Sequence, residues 1–153
     1  MVDFELNSID YTQDEILSFL QDSLPQPVYE ESVPDGDTLK RNHLGQIDPY
    51  LAVQFGDVYA RGVRSMIGQK GHDYSMSFAV QVVSPDANIG RKISNRVLSL
   101  ILGKQFTYAP GGVEKLPVGG ALMTINQSDP ATQAYMVPSW YKIVIHYFDE
   151  DVV

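Results

Sequence analysis

The hydrophobic positions change period several times along the chain, and each change marks an element. In residues 73–83, Tyr74, Met76, Phe78, Val80 and Val82 share one side. Ser75, Ser77, Ala79 and Gln81 share the other. A period of two belongs to a strand, and this alternation predicts a sheet with one buried face. Residues 50–55 alternate likewise, with Leu51, Val53 and Phe55 against Ala52 and Gln54. Shorter apolar runs predict strands over 28–33, 121–126 and 140–148. The first ends at the turn signal Pro34-Asp35-Gly36.

Helical spacing appears twice. Thr12-Gln13-Asp14-Glu15 fits a capping box, with Thr12 accepting from the backbone and Glu15 reaching back. Ile16, Leu17, Phe19, Leu20 and Leu24 follow, and Pro25 and Pro27 stop the run, which predicts a helix over 12–23. A second helix is expected over about 86–102, after Ser84-Pro85-Asp86 and before Gly103. Ile89, Ile93, Val97, Leu100 and Ile101 form a stripe expected to dock on the sheet. Leu98 and Leu102 fall opposite, beside Arg91 and Asn95. They form a candidate contact patch unless loop 104–118 covers them.

Polar or glycine- and proline-bearing stretches at 37–48, 107–120 and 127–139 read as loops. Residues 57–72, DVYARGVRSMIGQKGH, are too apolar for a free linker and too rich in glycine for a good helix. A long hairpin-like arm fits them, and a connection of that length tends to be either functional or disordered. The order of elements predicts an α+β fold. Its parts are a mainly antiparallel sheet of about four to five strands, two helices packed on one face, and the arm. At 153 residues the chain suits a single domain, 1–153, with an acidic tail at 149–153.

Charge changes this picture. The net charge is -8. Residues 1–37 hold ten acids and no Lys or Arg. Residues 38–148 hold eleven bases against six acids, and the tail adds three acids. An acidic front and a basic middle can attract each other within one chain or between copies. The acidic opening MVDFELNSID predicts neither a signal nor a transit peptide, and no apolar run has the length of a membrane span.

The candidate chemistry is thin. There are no cysteines, which excludes disulfides, thiolate metal sites and thiol nucleophiles. The strand running through Ser84-Pro85-Asp86 into a helix bearing Arg91 and Lys92 raises phosphate binding. But the turn lacks the glycines of a phosphate loop, Pro85 removes an N–H, and Asp86 repels an anion, so capping by Asp86 or Ser84 is expected instead. His72 adjoins Asp73, but neighbouring strand residues face opposite ways, so they form no pair. His146 is expected to be packed or exposed rather than catalytic. No catalytic, cofactor-binding or metal-ligating residue is expected, and no enzymatic activity.

The layout resembles the tail terminator proteins of long-tailed bacteriophages. The resemblance rests on the helix YTQDEILSFLQDSLP, then PVYEESVPDG and PYLAVQFG, and the connection with glycines and arginines. DYSMSFAVQVVSPDA running into NIGRKISNRVLSLIL follows, then a glycine–proline loop and a last strand opened by Pro138-Ser139-Trp140-Tyr141. Members of that family form rings, typically hexameric, that cap the tail tube and join the head-side connector, with an α+β fold and no catalysis. The resemblance implies a virion protein at the head–tail junction, assembled in the host cytoplasm. Its partners would be other copies, the major tail tube protein and the head-closure side. The candidate interface residues are Tyr59, Arg61, Arg64, Met66, Ile67 and Lys70 in the arm, with Arg91, Asn95, Leu98 and Leu102 on the second helix. Arg61, Arg64 and Lys70 are also candidates for passive contact with DNA in the channel. The alternatives are another head-to-tail connector, a tail-tube subunit and, more distantly, a ligand-binding or enzymatic α+β domain using His43, His72 or His146.

Overall fold

The computed structural model describes residues 8–30, 45–66, 69–119, 123–125 and 134–148. The elements in chain order are α1 (Ser8–Ser23), β1 (Val28–Glu30), β2 (Tyr50–Met66), β3 (Gln69–Ser84), α2 (Ala87–Ile101), β4 (Glu114–Gly119), β5 (Met123–Ile125) and β6 (Ala134–Phe148). The sheet runs β1-β2-β3-β6-β4, with β5 also on β6. β1 lies parallel to β2, and every other pairing is antiparallel. The fold is therefore α+β with a mixed, mostly antiparallel sheet.

Both helices bury one side on the same face of the sheet. The core joins Ile16, Leu17 and Leu20 of α1 and Ile93, Val97 and Ile101 of α2 to Leu51, Val53, Met76, Phe78, Val80, Val82, Tyr141, Ile143 and Ile145. The register explains the shared face: Met76 lies opposite Ile143, Phe78 opposite Tyr141, and Leu51 opposite Val82. The other face of β3 is partly closed to water: Ser75, Ala79 and Val83 are buried, whereas Asp73, Ser77 and Gln81 are half-buried. A second cluster of Ile47, Tyr50, Val83 and Ala134 sits there. One buried face was expected. As a central strand between β2 and β6, β3 also buries part of its second face, at Ser75, Ala79 and Val83.

Three boundaries depart from expectation. α1 begins at Ser8, not at residue 12, so Thr12 is an interior residue: its Oγ1 donates to the Ser8 carbonyl at 2.7 Å. The capping box is not formed. Glu15 instead accepts from the backbone N–H and the hydroxyl of Thr107, at 3.1 and 3.0 Å. The expected loop at 127–139 gives way to strand from Ala134 onward. Pro138 falls between the stretch of β6 paired with β5 and the stretch paired with β4, where a missing N–H disturbs the ladder least. β4 occupies part of the expected loop at 107–120, and Pro117 lies in its irregular stretch between Lys115 and Gly119.

The expected helix ends hold. Asp86 caps α2, its Oδ1 accepting from the N–H groups of Asn88 and Ile89 at 2.8 and 3.3 Å. Gly103 follows the C-cap with φ 76°, a left-handed conformation that suits glycine.

Candidate subunit interface

α2 meets the sheet through a row that includes small residues. Gly90, Ile93, Ser94, Val97 and Ile101 are its buried positions. A Cβ on Gly90 would touch Ser84 Cβ at 3.4 Å and Val137 Cγ2 at 3.6 Å. Ser94 Oγ and Ser139 Oγ share a buried hydrogen bond of 3.0 Å. This row rotates the helix away from the expected stripe. Ile89, expected to dock, is 44 % exposed. Leu98, expected outside, is half-buried against the core, whereas Leu102 is 52 % exposed. The backbone of Leu102 bridges Val113 without covering its side chain.

The outward face of α2 is basic. Arg91, Lys92, Asn95 and Arg96 are exposed there with Ile89. Arg91 Nη2 donates to Asn88 Oδ1 at 2.8 Å. Among the described residues, Lys92 and Arg96 meet no carboxylate.

The outward face of α1 is acidic, with Asp10, Tyr11, Asp14, Ser18 and Asp22 exposed. Aromatic contacts lash its side to the segment after α2. Tyr11 meets Tyr108 edge-on at 5.5 Å, and Phe19 meets Phe106 at 6.1 Å. The Lys104 ammonium lies 4.8 Å from the centre of the Phe19 ring. The Glu15–Thr107 hydrogen bonds complete the seam. Beside it opens a cleft of about 440 Å³ lined by Tyr11, Asp14, Glu15, Phe19, Lys104 and Phe106. Sequence reading missed this cleft, because it depends on the return of the chain after α2.

The remaining interface candidates lie on the β2–β3 hairpin. Its ladder continues to Arg64↔Gly71, Ser65↔Lys70 and Met66↔Gln69, with register shifts between Phe55 and Val58 and between Ala60 and Gly62. Tyr59 is 56 % exposed. Arg61, Arg64, Met66 and Lys70 take their places in these two strands. Ile67 lies outside the described residues.

One polar pair went unread in the sequence. Asp73 lies directly opposite His146 across β3 and β6, with His146 Nδ1 2.7 Å from Asp73 Oδ1. Asp73 thus has one partner far along the chain, which no neighbouring position could reveal. Ser75 follows on the same side of β3, its Oγ buried and with no hydrogen-bond partner among the described residues. Burial raises the pKa of two tyrosines. Tyr50 is pushed up by desolvation, then by neighbouring Tyr29. Tyr141 is pushed up by desolvation and drawn partly back by Ser139. Among the described residues, no group of three or more His, Asp or Glu could hold a metal, and no helix is long and apolar enough to cross a membrane.

No protein-family model and no curated protein matches the chain.

Proposed function

We propose that the chain is a structural virion protein, a tail terminator. Its copies close into a ring that caps the tail tube and joins it to the head-side connector. One observation carries the reading: a single helical layer presents an acidic outward face on α1 and a basic outward face on α2. A ring with head-to-tail contacts needs two different, complementary surfaces on every copy. Opposite charge on two such surfaces guides encounter and fixes register. The likeness in layout to tail terminators supplies the setting, a hexameric ring at the head–tail junction. In that setting the β2–β3 hairpin is the element offered to a neighbouring copy, the tube or the DNA channel.

The test is direct. The purified protein, alone and with tail-tube protein, is followed by size-exclusion chromatography with light scattering and by negative-stain microscopy. Rings are expected, and tubes of controlled length in the mixture. Salt should weaken the rings, because exposed charge pairs are screened over about 10 Å at 0.1 M ionic strength. A strict monomer that never joins tubes overturns the reading.

A further inference from the structure

The two outward faces are opposite in sign and match in spacing. On α1, Asp10 and Asp14 are separated by one turn, about 6 Å along the axis, with Tyr11 exposed between them. On α2, Lys92 and Arg96 have the same separation, about 6 Å, with exposed Ile89 one turn before Lys92. Each face thus joins two like charges to one exposed apolar side chain.

We propose that α2 of one copy lies antiparallel across α1 of the next, with Ile89 entering the cleft beside α1. The proposal rests on the ring reading above and names the contact that would build the ring. In this register Lys92 faces Asp14, and Arg96 comes alongside Asp10, which also keeps a contact within its own chain. The same register carries Ile89 to Ser18 and Phe19, where Phe106 closes the cleft. A parallel arrangement would set Lys92 against Asp10 and send Ile89 past the first turn of α1. Antiparallel packing also suits Lys104. Its ammonium already lies over Phe19, and the register meets it with an apolar side chain instead of a second cation. Asn95 then rests against Tyr11, and Arg91, tied to Asn88, borders the contact. The occupant is a second copy because the chain itself carries the complementary charge at matching spacing.

Charge reversal tests the contact. Asp14→Lys and Lys92→Asp are each exposed substitutions, expected to leave the circular dichroism spectrum intact. Each should weaken ring formation by roughly tenfold or more. A chain carrying both restores an opposite-charge pair at every contact and should recover assembly. The absence of cysteine allows a second reading. A Ser18→Cys, Ile89→Cys chain treated with a short bismaleimide should yield a ladder of linked oligomers. If rings form yet the single reversals leave them unchanged and no ladder appears, the helix pairing is wrong and the ring stands. If the unmodified protein never assembles, the ring reading falls, and the pairing with it. A single reversal that weakens assembly without rescue by the double chain, or a ladder only from an unrelated control pair, also overturns this register.

Discussion

α1 and α2 solve the same problem in different ways. Both cover one face of one sheet, and both bury a narrow stripe. α1 turns its buried hydroxyl back on itself, Thr12 donating to Ser8, and anchors through Ile16, Leu17 and Leu20. α2 sends its buried hydroxyl across to the sheet, Ser94 to Ser139, and approaches closely at Gly90. Their outer sides differ more. The segment after α2 returns along α1 and engages Glu15, Tyr11 and Phe19, leaving a walled cleft. Among the described residues nothing lies against the outer side of α2. One layer of two ordinary amphipathic helices therefore yields an acidic socket and a basic ridge, which is the asymmetry a head-to-tail assembly uses.

The comparison breaks most sharply at the anchors. Leu20 is fully buried at the centre of the α1 contact. Leu20→Ala should cost about 2–5 kcal/mol, seen as a lower urea midpoint with little change in slope. If α2 instead depends on close approach, adding bulk should harm it more than removing bulk. Gly90→Leu cannot fit against Ser84 and Val137 without lifting the helix, and should cost about 1–3 kcal/mol. Gly90→Ala meets the same atoms at ordinary contact distance and removes backbone freedom. It should be neutral or stabilise by up to about 1 kcal/mol. Equal losses from the alanine and leucine variants would mean that closeness at Gly90 is not what seats α2.

The ends of the two helices provide a smaller test. Asp86→Ala removes the acceptor for two N–H groups of α2 and should cost about 1 kcal/mol by thermal or urea unfolding. Thr12→Ala should not show a cap-sized loss, because Thr12 caps nothing. Its cost is that of a buried side chain within α1.

The two helix starts also show what could be read from the sequence. The cap of α2 was legible to within Ser84 and Asp86 because its strand, turn and helix pattern are contiguous, and the structure settles it on Asp86. Thr12 and Glu15 satisfied the same local pattern, yet the helix begins a turn earlier and Thr107, far along the chain, claims Glu15. The alternation of β3 was legible for the same reason as Asp86. The partial burial of its second face was not, since it depends on Ile47, Tyr50 and Ala134 gathering around Val83. Pro138 and Pro117 read as loop signals, but both sit where the ladder on β6 is interrupted. Ile89 misled because residue hydrophobicity set the expected stripe, whereas Gly90 and Ser94 let the backbone come close and so decide the rotation. The Asp73–His146 pair and the cleft beside α1 required a register and a chain return that no local pattern contains.

The smallest expected effect probes the polar atoms beneath α2. Tyr141 is fully buried and stacks on Phe78 at 5.4 Å. Burial favours the neutral phenol and holds its pKa above 10.0, and Ser139 draws it partly back. A folded-state pKa above the unfolded value leaves stability unaffected below pH 10.0. It then removes stability as pH rises from there through the folded value, because the unfolded chain loses the proton first. Tyr50 adds to the same alkaline loss, since its pKa is raised as well. Tyr141→Phe should therefore leave neutral-pH stability nearly unchanged and flatten the decline above pH 10.0. Ser94→Ala separates the contribution of α2. It frees the Ser139 hydroxyl from its bond to Ser94 and lets it turn to the tyrosine, which lowers the Tyr141 pKa. Tyrosinate absorbance in a Tyr50→Phe background reads that shift. A fall in pKa on Ser94→Ala links the seat of α2 to the core below it. An unchanged titration would show that Ser139 serves only to fill the space under α2.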